Sequence, residues 1–187
     1  MVKIQNVVAS AMLKHGIDLN GVTRAFPKME YRPRKFPGLV FRLKNPRATI
    51  LIFGSGKMVC TGAKSVNGAK RALRKLVRML KAAGVVILGR LSIKIQNIVA
   101  SADLNGTVDL VTWYESQRLG GRMMYEPEQF PGVIYRMEEP RAMIILFSSG
   151  KLVCTGAKEE ENVYRAIDKL RQKLEKDKCI FYTATKL

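Results

Sequence analysis

The sequence predicts an α+β fold in which one unit is used twice, each copy a set of sheet strands backed by a long helix. Three observations carry that prediction. First, blocks of sequence return at a fixed spacing. Phe36-Pro37-Gly38 returns as Phe130-Pro131-Gly132, Pro46-Arg47-Ala48 as Pro140-Arg141-Ala142, and Gly56–Lys64 as Gly150–Lys158, each 94 residues on. Ile4-Gln5-Asn6 returns as Ile95-Gln96-Asn97 after 91 residues, so the second copy gains three residues before Phe130. Two copies at so long a period mark a duplicated unit, since solenoids stack repeats of roughly 20–50 residues. Second, short apolar runs alternate with turn residues. Third, each copy closes on an apolar pattern of helical period. Residues 1–89 and 90–187 are the expected repeats, related by an approximate two-fold axis. Such a molecule suits a partner that is itself nearly two-fold symmetric.

Each copy opens with a strand, Lys3–Met12 and Ser92–Asp103. A polar segment with a brief helix follows, Leu19–Ala25 and Val108–Glu115. Three or four strands come next. Asn45-Pro46 and Glu139-Pro140 mark one turn, and Gly54-Ser55-Gly56 and Ser148-Ser149-Gly150 another. Val66, Ala69, Leu73, Leu76, Val77 and Leu80 then recur at helical spacing, as do Val163, Ala166, Ile167, Leu170 and Leu174. Gly84 stops the first of these helices. Val85–Leu91 is too apolar for a floppy linker, so the two copies are expected to share one sheet.

Nearly half of the 187 residues are apolar, which is enough for a core. No run approaches the roughly 18 apolar residues of a membrane span. Met1 leads almost directly into Ile4, so no signal peptide is expected. Cys60, Cys154 and Cys179 make no disulfide framework and read as buried free thiols in a reducing compartment. The net charge of +18 favours a polyanionic partner. It is unevenly spread: residues 1–90 hold 19 basic and 2 acidic residues, and residues 91–187 hold 14 and 13.

Burial sharpens this reading. The strands Thr49–Phe53 and Met143–Phe147 are apolar on both faces, yet each copy offers one long helix to cover one of them. An uncovered apolar face of that size marks a binding surface. Alternation along strands sorts the residues. One face carries Asn6, Val8, Val40, Arg42, Arg47, Thr49, Leu51, Phe53, Lys57, Val59 and Thr61. Its repeat carries Asn97, Val99, Ile134, Arg136, Arg141, Met143, Ile145, Phe147, Lys151, Val153 and Thr155. The other face, with Ile50, Ile52, Met58 and Cys60, goes under the helices. A surface apolar at its middle, cationic at its strand ends and holding one Asn per copy fits the duplex minor groove. That groove has sugar walls, phosphate rims and a floor of mostly acceptors.

At these residues the chain resembles the TATA-box-binding protein family, general transcription initiation factors of archaea and eukaryotes. The doubled blocks Phe-Pro-Gly, Pro-Arg-Ala and Gly-Lys-Met/Leu-Val-Cys-Thr-Gly-Ala-Lys carry the resemblance, which covers essentially the whole chain. With no long N-terminal extension, the archaeal type is expected. The resemblance implies one curved sheet of ten antiparallel strands, a saddle, with four helices on the convex face and DNA beneath. It implies that Phe36 and Phe53, with Phe130 and Phe147, wedge between base steps at the ends of the site. Asn6 and Asn97, beside Thr61 and Thr155, fall at polar base contacts. Val8, Leu51, Val59, Val99, Ile145 and Val153 fall at groove-packing positions, where an apolar floor crowds the guanine amino group and so selects A·T pairs. Arg42, Arg47, Lys57, Lys64, Arg136, Arg141, Lys151 and Lys158, with the hydroxyls of Ser55 and Ser149, fall at phosphate contacts. Neutralising roughly six to ten phosphates would lower affinity about 10³–10⁵-fold between 50 and 200 mM salt.

The loops before the first wedges differ. Arg32, Arg34 and Lys35 make one basic, and Glu126, Glu128 and Gln129 make the other acidic. In the family the second loop resembles the docking site for transcription factor B. The acidic pair would suit a basic surface on that factor and the basic loop would repel it. The resemblance also implies recruitment of RNA polymerase to a pre-initiation complex. It implies a cytoplasmic, nucleoid-associated protein, or a nuclear one in a eukaryote. An apolar underside leaves open a weak homodimer without DNA. The basic residues Lys70, Arg71, Arg74, Lys75, Arg78 and Lys81 of the first long helix read as a solvated face or a docking face. The run Glu159-Glu160-Glu161 suits a helix N-terminus.

No enzyme is expected. His15 is the sole histidine and reads as a loop residue. No CxxC, HExxH or phosphate-binding Gly-Lys-Ser/Thr motif occurs. The sequence suggests no cofactor, metal site, small-molecule substrate or membrane partner. A nucleic-acid grip module without promoter selectivity and a pure interaction scaffold remain as alternatives.

Overall fold

The computed structural model of the protein describes residues 1–182, apart from the side chain of Arg118. In chain order it contains β1 (Lys3–Met12), α1 (Leu19–Ala25), β2 (Leu39–Leu43), β3 (Ala48–Ile52), β4 (Lys57–Ala63) and α2 (Val66–Ala82). Then follow β5 (Ser92–Asp103), β6 (Gly106–Val108), α3 (Leu110–Gln117), β7 (Met123–Met124) and β8 (Val133–Met137). The last elements are β9 (Ala142–Leu146), β10 (Lys151–Ala157), α4 (Glu160–Lys176) and β11 (Ile180–Tyr182). The fold is α+β, as the sequence predicts. Its contacts divide it into two units, Asn6–Gln96 and Met1–Gln5 with Asn97–Leu187.

In the first unit the strand order is β2-β3-β4-β1, all antiparallel. Alternation sorts the side chains as expected. Ile50, Ile52, Met58 and Cys60 are fully buried, while Thr49, Leu51, Val59 and Thr61 between them are half-buried. The buried row lies under α2, which packs on β3 and β4. That helix contributes Ala69, Ala72, Leu73, Leu76 and Leu80 to the core; burying each large aliphatic side chain stabilises by about 1.5–3 kcal/mol. Ser65 caps it by accepting the Gly68 N–H at 3.0 Å. Gly84, at φ 83°, ends it: its N–H donates to Lys81 O and the Val85 N–H to Leu80 O, both at 3.0 Å.

The second unit repeats the plan. Its ladder runs β5-β10-β9-β8-β7, and α4 packs on β9 and β10 with Val163, Ala166, Ile167, Leu170 and Leu174 buried. Glu159 makes no side-chain cap, but Glu160 and Glu161 lie in the first turn, where the helix dipole favours them.

The tenth strand of the expected ladder survives only as a bridge. β7 pairs with β8 through Met124 and Ile134. The first-unit counterpart is the isolated bridge from Glu30 to Val40. The brief helix of the second copy is displaced from the expected Val108–Glu115 to Leu110–Gln117. Val108 instead pairs with Ile180 in a separate two-stranded sheet of β6 and β11. Asp109 then opens the helix by accepting the Thr112 N–H at 3.0 Å, and that bond, with the Thr112 hydroxyl, lowers its carboxyl pKa.

Candidate nucleic-acid interface

The faces left uncovered by α2 and α4 carry matching cross-strand rows. In the first unit Val40 faces Leu51, Leu51 faces Val59, and Val59 faces Ser10. In the second Ile134 faces Ile145, Ile145 faces Val153, and Val153 faces Ser101. One step along, Arg42, Thr49 and Thr61 form a row, and Arg136, Met143 and Thr155 its counterpart. Val8 and Val99 extend the same faces and are half-buried, between the buried Val7 and Ala9 and the buried Ile98 and Ala100. Each face is thus apolar along its middle and incompletely covered.

Two polar constellations interrupt these faces, and each is built on a bulge. Pairing between β1 and β4 shifts register between Val7 and Ala9. Pairing between β5 and β10 shifts between Cys154 and Ala157. Gly62 and Gly156 sit in the bulges at φ 87° and 92°, a conformation that favours glycine. The Gly62 N–H, turned out of the ladder, donates to Asn6 Oδ1 at 2.7 Å. The Gly156 N–H donates to Asn97 Oδ1 at 2.7 Å. With the carbonyl oxygen so occupied, the amide nitrogen must be the outward end. Asn6 Nδ2 donates to Thr61 Oγ1 at 3.2 Å and Asn97 Nδ2 to Thr155 Oγ1 at 3.0 Å. A primary amide carries two N–H groups, so each Asn has a second donor beyond its bond to threonine.

The phenylalanines meet in pairs. Phe36 and Phe53 pack edge to face with centroids 5.8 Å apart, and Phe130 and Phe147 do so at 5.9 Å. Phe36 is 39% and Phe130 40% exposed, high for rings of that size. Glycine makes room for each pair. A Cβ on Gly38 would stand 2.6 Å from Phe36 Cε1 and 3.0 Å from Phe53 Cε1. On Gly132 it would stand 2.9 Å from Phe130 Cε1 and 3.2 Å from Phe147 Cε1. The third residue of the doubled Phe-Pro-Gly motif therefore makes room for the ring pair.

The cations lie at the ends of the rows. Arg42, Arg47, Lys57, Lys64, Arg136, Arg141, Lys151 and Lys158 are all exposed, as are Ser55 and Ser149. The copies are not equivalent: Arg42 Nη1 lies 3.2 Å from Glu30 Oε2. At the counterpart of Glu30 the second copy has Met124, which offers no carboxylate to Arg136. The loops before Phe36 and Phe130 share one backbone design. Lys35 and Phe36 donate to Arg32 O at 2.8 and 2.9 Å, and Gln129 and Phe130 donate to Glu126 O at 2.9 Å. Glu126, Glu128 and Gln129 are exposed on that frame.

Four further polar residues, which the sequence alone does not single out, join the site. Gln5 Nε2 donates to Ser101 Oγ at 2.8 Å and Gln96 Nε2 to Ser10 Oγ at 2.6 Å. Ser10 and Ser101 lie in register with Val59 and Val153 and share strand parity with Val8 and Val99, so the alternation that found the valines also reaches them. Cys60, Cys154 and Cys179 are free and buried. Among the described residues no group of three or more His, Cys, Asp and Glu could hold a metal ion. No helix there is long and apolar enough to cross a membrane.

Comparison with known proteins agrees with this fold. The family model described as transcription factor TFIID (or TATA-binding protein, TBP) matches residues 1–83 and 92–176. A TATA-box-binding protein of Pyrodictium occultum is 53% identical over 178 residues, 95% of this chain and 87% of the relative. One of Archaeoglobus fulgidus is 47% identical over 174 residues, 92% of this chain and 94% of the relative. Among solved structures, Methanococcus jannaschii TBP superposes with a TM-score of 0.81 at 43% identity, covering 94% of this chain and 98% of that one.

Proposed function

The chain belongs to the TATA-binding protein family, non-enzymatic general transcription initiation factors that bind promoter DNA, and we propose that it reads the minor groove of an A·T-rich box with both repeats and bends the duplex there. The repeats, residues 1–89 and 90–187, each take one half of the site. Phe36 with Phe53, and Phe130 with Phe147, enter a base step at either end. Insertion with kinking is the established mode of this family, and the paired rings of this chain support the same mode here.

What supports the reading most is the pairing of exposed rings over a glycine, twice, beside an apolar row. A ring at 39% exposure leaves part of its apolar surface in water. Between unstacked bases it replaces lost stacking, which costs a few kcal/mol per step. Val8, Leu51 and Val59, with Val99, Ile145 and Val153, press on the groove floor and crowd a guanine amino group. Asn6 and Asn97 donate to thymine O2 and adenine N3. The eight cations, Ser55 and Ser149 meet the phosphate rims.

The acidic loop bearing Glu126, Glu128 and Gln129 receives transcription factor B through a basic surface on that factor, while the basic loop repels it. RNA polymerase follows that complex. On this reading the protein works on the nucleoid of an archaeal cytoplasm.

The decisive experiment is energy transfer between the ends of a labelled TATA duplex, with a G·C-substituted duplex and the Phe53→Ala/Phe147→Ala double variant as controls. A bend confined to the TATA duplex and lost in the variant is expected. Tight binding without bend or preference would leave only a basic nucleic-acid grip and overturn the proposal.

A further inference from the structure

Each turn that carries a wedge phenylalanine closes on itself. Phe53 N–H donates to Lys57 O at 2.9 Å, and Gly56 N–H to Phe53 O at 2.9 Å. Phe147 N–H donates to Lys151 O at 3.0 Å, and Gly150 N–H to Phe147 O at 2.9 Å. A turn alone is a soft mount for a side chain that must hold two bases apart. In both units a second segment stiffens it. Leu13 N–H donates to Gly56 O at 3.0 Å and Ile17 N–H to Gly54 O at 2.9 Å. Leu104 N–H donates to Gly150 O at 3.0 Å and Val108 N–H to Ser148 O at 2.8 Å. The contact is close. A Cβ on Gly56 would run into the His15 carbonyl oxygen, and one on Gly150 into that of Gly106.

The two braces correspond residue for residue, but their backing differs. The second is backed by a strand, since Gly106, Thr107 and Val108 pair with Tyr182, Phe181 and Ile180 of β11. The first is tied by one side chain. His15 Nε2 accepts the Leu88 N–H at 2.9 Å, and Nδ1 lies 2.7 Å from Gly16 O. Because Nε2 accepts, the ring proton sits on Nδ1 and is donated to Gly16 O, so one neutral tautomer makes both bonds. The imidazole thereby fastens the connector Val85–Leu91 to the brace. Ile87 of that connector is buried, and the stem of Lys14 lies over Gly89.

We infer that His15 is a positioning residue for the first wedge: through the Leu13–Ile17 brace it holds the turn of Phe53 as β11 holds the turn of Phe147. This rests on the proposal that the phenylalanine pairs unstack base steps. An unsupported turn yields to the restacking force, and the step at that end closes again while the other stays open.

The test places 2-aminopurine in turn at each end step of one asymmetric TATA duplex, where its fluorescence rises on unstacking. Phe53→Ala and Phe147→Ala assign each step to its wedge. His15→Leu is expected to lower the signal at the Phe53 step by about threefold or more, as the unstacked step is no longer held open. The Phe147 step should be unchanged. His15→Gln, whose Oε1 can stand in for Nε2, should restore most of the signal. If Phe53→Ala silences its step and His15→Leu does not, the inference is wrong and the wedge stands. Equal loss at both steps, with a lowered melting temperature, would reduce His15 to a contributor to global stability and also overturn it. If neither phenylalanine variant alters either step, the wedge itself fails and the inference falls with it.

Discussion

Asn6 is oriented by Gly62: the bulge N–H donates to Asn6 Oδ1 at 2.7 Å, and that bond turns the amide nitrogen outward. Asn97 and Gly156 repeat it. Asn6→Asp keeps the acceptor that the bulge needs and replaces the outward donor with an anion. On the proposed reading the fold survives, while affinity for a TATA duplex falls about 10–100-fold per site, the 1–3 kcal/mol of a good base contact. Anisotropy titrations beside thermal melts check this. Should the melting temperature fall in proportion to affinity, the amide serves the bulge and not the groove.

Gly38→Ala separates wedge geometry from stability. The new Cβ would meet Phe36 Cε1 at 2.6 Å and Phe53 Cε1 at 3.0 Å. Phe36 is part-exposed and its ring can swing away, so folding should lose less than about 1 kcal/mol, within the range of modest substitutions. The displaced ring no longer enters a base step. Energy transfer should report a reduced bend at nearly unchanged unfolding midpoint. Gly132→Ala, where the nearest ring atom is 2.9 Å away, should act in the same direction and less strongly. A full bend with Gly38→Ala would show that the ring pair tolerates rearrangement.

The salt dependence should be unequal between the copies. Each neutralised phosphate adds about 0.9 to the slope of log affinity against log salt. Arg136→Gln should remove nearly that whole increment. Arg42→Gln should remove less, because Arg42 spends part of its time on Glu30, 3.2 Å away, and an exposed pair of this kind is worth at most about 1 kcal/mol. Glu30→Gln should accordingly steepen the slope. Identical slopes for Arg42→Gln and Arg136→Gln would remove Glu30 from the account.

Much of this site is legible in the sequence because alternation and duplication test each other. Leu51 and Ile145, or Val59 and Val153, are ambiguous alone, yet each pair shares a face and a spacing. What the sequence does not display is contact made through backbone. The grip of Gly62 on Asn6 depends on a bulge, and a bulge adds no letter to the pattern. The brace on the Phe53 turn runs through Leu13 and Ile17 amides, whose side chains are ordinary core. β6 and β11, at three residues each, are too short for a periodic signal. The displaced start of α3 follows from them, since pairing with Ile180 claims Val108 first.

Alkaline pH should destabilise the protein through its repeated thiols. Burial pushes Cys60 and Cys154 up to about 11 from an ordinary value of 9.0. A group raised in the folded state contributes its full stability below the unfolded value and loses it as pH rises through the folded one. Between roughly pH 9 and 11 the unfolded chain gives up protons that the folded chain keeps. Stability then falls by about 1.4 kcal/mol per pH unit per thiol. Urea midpoints at pH 8 and pH 10.5 should therefore differ more for the native chain than for Cys60→Ala/Cys154→Ala. Parallel pH profiles would mean that other groups dominate.

Charge reversal at the second loop tests the proposed direction of assembly. Glu126 and Glu128 sit on the frame that holds Arg32 and Arg34 in the first copy, closed by the same pair of backbone hydrogen bonds. Substitution there changes charge with little change of shape. Glu126→Arg/Glu128→Arg should abolish recruitment of transcription factor B to the TATA complex in a mobility-shift assay. The bend should be unchanged, because Phe130 and its supporting bonds are untouched. Adding Arg32→Glu/Arg34→Glu to that variant should move recruitment to the other end of the box, since a nearly symmetric DNA contact leaves loop charge to set orientation. Loss of DNA binding together with recruitment would instead make the acidic loop part of the DNA contact. Recovery at the original end would show that shape, and not charge, selects the partner.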